Sequence, residues 1–408
     1  MKHVRETRTL TLDYDTETGH RMINQYVVDS ELGRGVFGSV KLAHDVYSRA
    51  NVAIKIVQRE APRKLGVPYT PRQTDERVVR EIRAMSLCLH PNVVQLFEVI
   101  DDPMSRKLFL ITEYMQGGEL VWRDELEQPT LSLTDARRVF RDILHGLNAL
   151  HENGIIHRDL KPANILWTRD RTMAKISDFG SAYVRMTPSS VDELSSATDP
   201  VLARTAGSPA FFAPELCYGA SDGPPITKAI DVWALGVTLY CMLFGHIPFD
   251  AETEYLLLEC IVHDDYAVPT CMCCDRVIVG PRAPRWAPLY PNSQDLCDSG
   301  SDNTYSKCAG TDSRNESTKP AETNRSHSLS NEAHAVRHLL DALLDKDPAT
   351  RMTLDRAMTH PWLVAVSWKF GLWETWFKVR SQGWAVWWLV GELEAKTSRY
   401  VPYKVAVV

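Results

Sequence analysis

Two short polar segments in the middle of the chain restrict its fold and chemistry more than any other feature. The first has the sequence HRDLKPAN at residues 157–164, and the second, DFG, occupies residues 178–180. The tripeptide alone is common and usually indicates a turn. Both segments in this order, with fourteen positions from Asn164 to Asp178, are not a coincidence of composition and predict a shared catalytic site.

The side chains of these segments suit the transfer of a phosphoryl group to a hydroxyl group. Asp159 can accept the proton of an incoming hydroxyl, and Lys161 can neutralise charge on the migrating phosphoryl group. Asn164 and Asp178 offer hard oxygen ligands of the kind that Mg²⁺ prefers. We therefore expect Asp159, Lys161 and Asn164 to be catalytic, with Asn164 and Asp178 holding the metal.

A glycine-rich segment lies near the N-terminus. Gly33, Gly35 and Gly38 form the pattern GxGxxG, which dinucleotide-binding folds also carry between a strand and a helix. In this chain alternating apolar residues predict strands on both sides, so we expect the glycines to cap a β-hairpin. Glycine lets a backbone close over phosphate groups without a side chain in the way. An ordinary glycine-rich turn is the alternative interpretation of this pattern alone.

A lysine follows in the next predicted strand, within the sequence VAIK. Lys55 comes fifteen positions after Val40 and has apolar neighbours along the strand. A buried ammonium group needs a partner, and a phosphate group together with Glu81 of the following helix could supply it. The alternative is a solvated lysine on an edge strand.

The order of predicted elements, strands first and helices afterwards, indicates an α+β fold with two segregated lobes. Apolar patterns predict strands at residues 26–57, 93–100 and 108–114, and helices at residues 78–89, 132–154, 231–244 and 335–344. Polar or proline-rich stretches predict a loosely held segment at 1–25, a loop insert at 61–73 and a disordered insert at about 291–330.

Composition limits the partners and the compartment. The net charge of −6 over 408 residues argues against binding to nucleic acid or to a membrane through bulk charge. The longest apolar stretches are too short for a transmembrane segment, and no secretory signal is evident. Nine irregularly spaced cysteines fit reduced thiols. We expect a cytoplasmic protein, and a nuclear location is also compatible.

Taken together, these segments resemble the protein kinase family over residues 26–363. The resemblance implies a bilobal fold, with a β-rich N-terminal lobe that has one main helix (26–115) and a mostly helical C-terminal lobe (116–363). On this interpretation residues 1–25 form a polar segment before the kinase domain. Residues 364–408 form a tryptophan-rich tail after it.

The resemblance implies ATP and Mg²⁺ as cofactors. Lys55 would orient the α- and β-phosphates, the backbone of Glu113 and Met115 would bind adenine, and Glu119 would reach the ribose. The implied nucleotide-binding set is Leu32, Gly33, Gly35, Gly38, Val40, Ala53, Lys55, Glu81, Glu113, Met115, Glu119, Leu166 and Asp178.

The same resemblance implies three supporting contacts outside the nucleotide site. Glu215, at the end of the activation segment, would pair with Arg351. Asp231 would anchor the catalytic loop from below. His157 would stack with Phe179 in a spine of buried side chains.

Local stretches narrow the resemblance within the family. Lys161, two residues after Asp159, is the serine/threonine pattern. The sequence GSPAFFAPE at residues 207–215 and the insert at 61–73 are similar to the calcium/calmodulin-dependent kinase kinases and to fungal upstream activators of AMP-activated (sucrose-non-fermenting) kinase. The implied protein substrate is another kinase, phosphorylated on its activation loop.

Several alternatives stay open at this point. A general calmodulin-dependent-type kinase of basic peptides would share the same chemistry, and a pseudokinase scaffold would share the fold. The tryptophans of 368–390 fit calmodulin binding, although the segment is thinly basic; otherwise they pack on the kinase body. Thr198 and Thr205 are candidate phosphorylation sites, or the loop that carries them is merely exposed.

Overall fold

The structure is a computed structural model that describes residues 4–35, 38–58, 76–185, 202, 206–218, 223–279 and 321–364. It divides into two compact units, Met1–His360 and Pro361–Val408. Within the second unit, the described part is one short helix. The predicted insert at 61–73, most of the insert at 291–330, both candidate threonines and the tail beyond 364 lie outside the described residues.

The N-terminal lobe is built on a single curled sheet. Its eight strands lie in the order β1-β7-β8-β6-β5-β4-β3-β2. The elements are β1 (Arg5–Thr7), β2 (Leu12–Tyr14), β3 (Arg21–Ile23), β4 (Tyr26–Gly35), β5 (Gly38–Asp45), β6 (Asn51–Gln58), α1 (Glu76–Leu87), β7 (Leu96–Ile100) and β8 (Lys107–Glu113).

The side chains of β6 point alternately to the two faces of this sheet, and the two faces differ in their surroundings. Val52 and Ile54 enter an apolar cluster with Ile111 of β8 and Tyr26 of β4. Because successive side chains of a strand point to opposite faces, Lys55 must lie on the other face of the sheet. One face therefore builds a core, and the other is available to the site.

Residues 4–25 contribute three strands to this sheet, so the prediction of a loosely held N-terminal segment is wrong for them. β1 pairs in parallel with β7, in a register that places Arg5 opposite Glu98. The Glu98 carboxylate is buried and accepts hydrogen bonds from Arg5, Thr7 and Tyr26. A buried carboxylate is stable only with such partners, and they fix the segment despite its polar composition.

The C-terminal lobe is mostly helical and also contains small sheets. Its elements are β9 (Gly118–Glu119), α2 (Leu133–Glu152), β10 (Ile155–Ile156), β11 (Ile165–Trp167), β12 (Ala174–Ile176), β13 (Tyr183–Val184), α3 (Pro214–Cys217), α4 (Ala229–Phe244), α5 (Glu254–His263), β14 (Cys271–Met272), β15 (Val277–Ile278), α6 (Ala321–Leu343) and α7 (Leu354–Met358). The described helix of the second unit is α8 (Pro361–Val364).

Two helices form the centre of this lobe, as the sequence predicts. α2 begins at an N-cap, where the Ser132 hydroxyl accepts a hydrogen bond from the Asp135 N–H. α4 is buried along its length from Ile230 to Phe244, as its continuous apolar composition indicates. It ends at Gly245, whose φ of 74° is the left-handed conformation that glycine adopts at helix ends.

The predicted disordered insert is wrong for its last ten residues. α6 begins at Ala321, whereas apolar periodicity predicts a helix only from Ala335. Once packed residues such as Val336 and Leu340 nucleate a helix, each further residue adds a backbone hydrogen bond. A helix can therefore extend backwards into a polar sequence that would not fold alone.

These lobes confirm the predicted α+β bilobal fold. In the described part of the chain, no helix is both long and apolar enough to cross a bilayer.

Candidate active site

The glycine-rich segment is a hairpin, as its flanking strands predict. β4 pairs antiparallel with β5, and the register ends at Gly35 opposite Gly38. A side chain at Gly38 could not be accommodated, because its Cβ would lie 1.9 Å from the Ile56 carbonyl oxygen. At Gly33 a Cβ would meet nothing within 4 Å. Packing of the hairpin against β6 therefore requires glycine at position 38, whereas the space beside Gly33 is open.

Cross-strand register places the predicted nucleotide-contacting residues on the face of the sheet that carries Lys55. Val40 of β5 is directly opposite Lys55, and Ala53 is opposite Thr112. The Thr112 hydroxyl donates to the Ala53 carbonyl at 3.3 Å. Since directly opposite residues share a face, this arrangement follows from the alternation of β6.

Two further members of the predicted set lie opposite each other in a separate small sheet. Leu166 of β11 pairs with Glu119 of β9. The backbone N–H of Glu113 donates to the Gln95 carbonyl at 2.9 Å, so only its carbonyl could serve adenine. Its carboxylate pairs with Lys175 at 2.7 Å, a contact that the sequence did not reveal.

Lys55 joins the two lobes electrostatically. Its Nζ lies 2.5 Å from Glu81 of α1 and 3.7 Å from Asp178. Burial alone would lower the pKa of Lys55, but the two carboxylates outweigh burial and raise it. The ammonium group is therefore charged at neutral pH. Lys55 is partnered, as predicted, and is not a solvated edge-strand lysine.

The HRDLKPAN segment brings its predicted catalytic residues together. Lys161 Nζ lies 2.9 Å from Asp159 Oδ2, and the amide of Asn164 donates to the Asp159 carbonyl at 2.7 Å. The Ser208 hydroxyl donates to Asp159 Oδ1 at 2.9 Å and accepts from Lys161 at 2.7 Å. A hydroxyl group therefore already sits between the carboxylate and the ammonium group.

Asp231 supports this loop from below, as the resemblance implies. Its two oxygens accept hydrogen bonds from the backbone N–H groups of His157 and Arg158, each at 2.8 Å. Burial alone would raise the pKa of Asp231, but a hydrogen bond from His151 at 2.8 Å and the neighbouring donors lower it. The ionised carboxylate holds Arg158 in a left-handed conformation, with φ of 68°, which an unsupported arginine rarely adopts.

His151 was missed by the sequence interpretation. It lies on α2 next to the buried Leu150, so a signal was present. A histidine within the apolar face of a helix needs a polar partner when it is buried. The sequence does not show that this partner would be Asp231, eighty positions away.

The DFG segment is held against the catalytic loop. The Phe179 ring is buried and meets His157 edge to face, with ring centroids 5.2 Å apart. Asp178 has a φ of 60°, and its side chain is 53% exposed. Its carboxylate is therefore directed away from the core, towards Lys55.

Gly207 completes the site from the activation segment. Its φ is 112°, and a Cβ at this position would lie 2.3 Å from the Arg158 carbonyl oxygen. Only glycine allows the segment to approach the catalytic loop so closely. The adjacent Ser208 reaches Asp159 because of this approach.

The donor set fits a magnesium-bound nucleotide. The Asn164 amide nitrogen is committed to Asp159, which leaves its oxygen as the available ligand atom. This oxygen and the exposed Asp178 carboxylate are hard ligands of the type that Mg²⁺ takes. The charged Lys55 beside Asp178 suits phosphate oxygens.

This fold and this site together define a protein kinase. The protein kinase domain model matches residues 26–363, and the chain belongs to that family. Glu215 and Arg351 form the predicted ion pair, and the structure shows that it is bidentate, with distances of 2.7 and 2.8 Å. The contacts of Asp231, of His157 with Phe179, and of Glu215 with Arg351 are therefore confirmed.

Several of the curated relatives are fungal kinases. The serine/threonine-protein kinase ssp1 of Schizosaccharomyces pombe is 48% identical over 270 residues, covering 65% of this chain and 40% of the relative. SNF1-activating kinase 1 of Saccharomyces cerevisiae is 36% identical over 391 residues, covering 90% of this chain and 30% of the relative. The kinase TOS3 of the same organism is 38% identical over 275 residues, covering 65% of this chain and 48% of the relative. The chain thus spans less than half the length of each of these three relatives.

Proposed function

We propose that this chain is an ATP- and Mg²⁺-dependent serine/threonine kinase that phosphorylates the activation loop of another kinase of the SNF1 or AMP-activated type. The observation that carries the catalytic part is the Ser208 hydroxyl, which lies within hydrogen-bonding distance of both Asp159 and Lys161. A substrate hydroxyl in that position would meet a proton acceptor and a cation. Similarity to a relative that is named SNF1-activating kinase 1 supports the choice of substrate.

Each residue of the site has a separate role in the proposed phosphoryl transfer. Asp159 accepts the proton of the substrate hydroxyl, and Lys161 balances charge on the phosphoryl group that is transferred. Lys55, oriented by Glu81, holds the α- and β-phosphates. Bound Mg²⁺ would neutralise the phosphate oxygens, held by Asn164 and Asp178.

The nucleotide would lie between the lobes, with the sheet face that carries Lys55 on one side and the small sheet of β9 and β11 on the other. The glycine hairpin with Leu32, Gly33, Gly35 and Gly38 would cover the phosphates. Val40 and Ala53 from one lobe and Leu166 from the other would enclose adenine. The carbonyl of Glu113 and the backbone of Met115 would bind its edge, and Glu119 would reach the ribose.

Four intact groups favour an active enzyme over a scaffold. Lys55, Asp159, Asn164 and Asp178 are all present and lie in mutually consistent positions. A pseudokinase usually lacks at least one of these groups, so the geometry gives no support to that alternative.

The decisive experiment uses a catalytically inactive SNF1-type kinase as substrate. The purified chain, ATP and Mg²⁺ are incubated with it, and the phosphorylated residues are mapped by mass spectrometry. We expect modification of the activation-loop threonine. Phosphate elsewhere, with none on that threonine, would contradict the proposed substrate and favour a general kinase of basic peptides.

Asp159→Asn is the matched control for the chemistry. The substitution keeps the shape of the side chain but removes the proton acceptor. Turnover should fall by about 10²–10⁴-fold, while ATP binding measured by calorimetry stays near the wild-type value. Equal activity in both proteins would indicate a contaminating kinase. Adding calcium and calmodulin to a parallel reaction tests whether calmodulin is a partner.

A further inference from the structure

The glycine hairpin of β4 and β5 carries a cluster of three charged side chains, Glu31, Arg34 and Lys41. Glu31 lies directly opposite Lys41 in the strand register, and its carboxylate accepts a hydrogen bond from the Lys41 ammonium group. The same carboxylate accepts hydrogen bonds from the Arg34 guanidinium group at 3.2 and 3.4 Å. The hydrogen bond from Lys41, and then those from Arg34, lower the pKa of Glu31. The carboxylate is therefore charged at neutral pH, and this Glu31 cluster joins the two strands.

The Glu31 cluster spans a β-bulge in the hairpin. The register advances two residues on β4, from Glu31 to Gly33, but only one residue on β5, so Leu32 is an extra residue. A bulge disrupts the ladder of backbone hydrogen bonds locally and bends the strand that carries it. Glu31 lies before the bulge and Arg34 lies after it. Their side-chain hydrogen bonds therefore connect the two parts of β4 at the place where the backbone ladder is interrupted.

The cluster lies on the face of the sheet that is turned away from the nucleotide site. Lys41 is directly opposite Ile54, which packs in the apolar cluster of the N-terminal lobe. Val40, its neighbour along the strand, is opposite Lys55 on the other face. Since directly opposite residues share a face, Glu31 lies with Lys41 on the side away from Lys55. An influence of Glu31 on a bound nucleotide must therefore pass through the backbone of the hairpin.

We propose that Glu31 is a positioning residue for ATP, because its carboxylate holds the hairpin in the conformation that covers the phosphate groups. Gly33 and Gly35 leave the backbone many accessible conformations, and binding of the phosphates requires only one of them. A restraint on the outer face removes the alternatives before the nucleotide binds, and such preorganisation lowers the cost of binding. The inference rests on the proposed function, because it assumes a ligand that carries phosphate groups.

The variant Glu31→Gln tests this role with two ligands. The Kd for a non-hydrolysable ATP analogue with Mg²⁺, measured by calorimetry, should rise about two- to fivefold, the range that exposed ion pairs contribute. The Kd for adenosine should stay at the wild-type value, because adenosine has no phosphate groups for the hairpin to cover. KM for ATP should rise by the same factor, with a smaller change in kcat. A general loss of stability would not distinguish the two ligands.

The direction of the change separates positioning from simple charge. If Coulomb attraction alone mattered, removing a negative charge near the site would strengthen the binding of an anionic nucleotide. The same strengthening would follow if Arg34, once released from Glu31, contacted a phosphate group. Binding becomes weaker only if the carboxylate acts through the hairpin. Tighter binding of the ATP analogue by Glu31→Gln would therefore overturn the proposal.

A double-mutant cycle tests whether Lys41 is the partner of Glu31. If the pair acts as a unit, Glu31→Gln/Lys41→Met should weaken binding of the ATP analogue by clearly less than the product of the two single factors. A loss equal to the full product would overturn the pairing. Glu6→Gln is the matched control, because Glu6 forms an exposed ion pair with Arg8 at 3.4 Å in the same lobe. It should leave the binding of both ligands unaffected.

The remaining outcomes also decide the question. Unchanged binding of both ligands by Glu31→Gln would remove the positioning role, and equal weakening for adenosine and the ATP analogue would show a general effect on the site. The difference between wild type and variant should shrink at high salt, since salt screens exposed ion pairs; a difference that persists would contradict an ionic restraint. If the wild-type chain binds no ATP analogue, the proposed function itself fails, whereas a failure confined to Glu31 leaves wild-type binding and catalysis intact.

Discussion

The two lobes each contain a buried carboxylate, and the two carboxylates are held in different ways. Asp231 in the C-terminal lobe accepts hydrogen bonds from backbone N–H groups of the catalytic loop and from His151. Glu98 in the N-terminal lobe is 1% exposed and accepts from side chains, chiefly those of Arg5 and Tyr26. Asp231 fixes the conformation of the catalytic loop, whereas Glu98 attaches the N-terminal segment to the sheet.

This difference has a functional meaning. Backbone hydrogen bonds to Asp231 determine the dihedral angles of Arg158 and hence the position of the adjacent Asp159. Side-chain hydrogen bonds to Glu98 determine only whether the N-terminal segment stays paired with β7. We therefore expect damage at Asp231 to appear in turnover and damage at Glu98 to appear in stability.

Removal of the first carboxylate should have the largest effect. Asp231→Ala leaves His151 and two backbone N–H groups buried without their acceptor, and the catalytic loop is free to shift. A misplacement of about 1 Å at a catalytic group can cost about 100-fold in rate, so kcat should fall by that order. Measuring kcat on the folded fraction, determined by circular dichroism, checks this. Wild-type kcat in a folded Asp231→Ala protein would contradict the assigned role.

Removal of the second carboxylate should affect stability more than turnover. Glu98→Ala leaves the Tyr26 hydroxyl buried without its acceptor, and such a group costs about 1–3 kcal/mol. Urea unfolding should show that decrease, and proteolysis within residues 8–11 should become faster as β1 detaches. Glu6→Ala, an exposed position on the same strand, is the control. A large loss of kcat in Glu98→Ala would remove the contrast between the two carboxylates.

The smallest expected effect is on how the free energy of unfolding depends on pH. Burial alone would raise the pKa of Glu98, but the hydrogen bonds from Arg5, Thr7 and Tyr26 lower it below its ordinary value. A carboxylate with a lowered pKa stabilises the folded state above its unfolded pKa of about 4.3, and this stabilisation is lost as the pH falls through the folded pKa.

The difference in unfolding free energy between wild type and Glu98→Gln should therefore shrink below about pH 4.5. Urea titrations at neutral pH and at several acidic values measure it. A difference that stays constant down to the acid transition would show that the pKa of Glu98 is not lowered by folding.

The catalytic loop could be predicted because its information is local. The residues from His157 to Asn164 are contiguous, and their chemistry restricts them to one arrangement around Asp159. Long-range partners such as Glu215 and Arg351, 136 positions apart, came from resemblance to a family and not from periodicity. Their ion pair nevertheless formed as expected.

The N-terminal strands could not be predicted because nothing local distinguishes them from a loop. β1 has three residues, too few for an alternation pattern to be recognised. Its partner β7 lies more than ninety positions away, as the Arg5–Glu98 contact shows. The start of α6 was missed for a similar reason, because packing at Val336 stabilises a polar sequence upstream.

The order of the large sheet carries a consequence for the isolated catalytic domain. β1 and β2 occupy its two ends, although only residues 8–11 separate them in the chain. A chain shortened to begin at Tyr26 would lose β1, β2 and β3 together, and would present β7 and β4 as bare edges. Unpaired edges recruit strands from other molecules, so such a truncated chain should self-associate, and its yield in soluble form would depend on twenty-five residues that make no contribution to the chemistry.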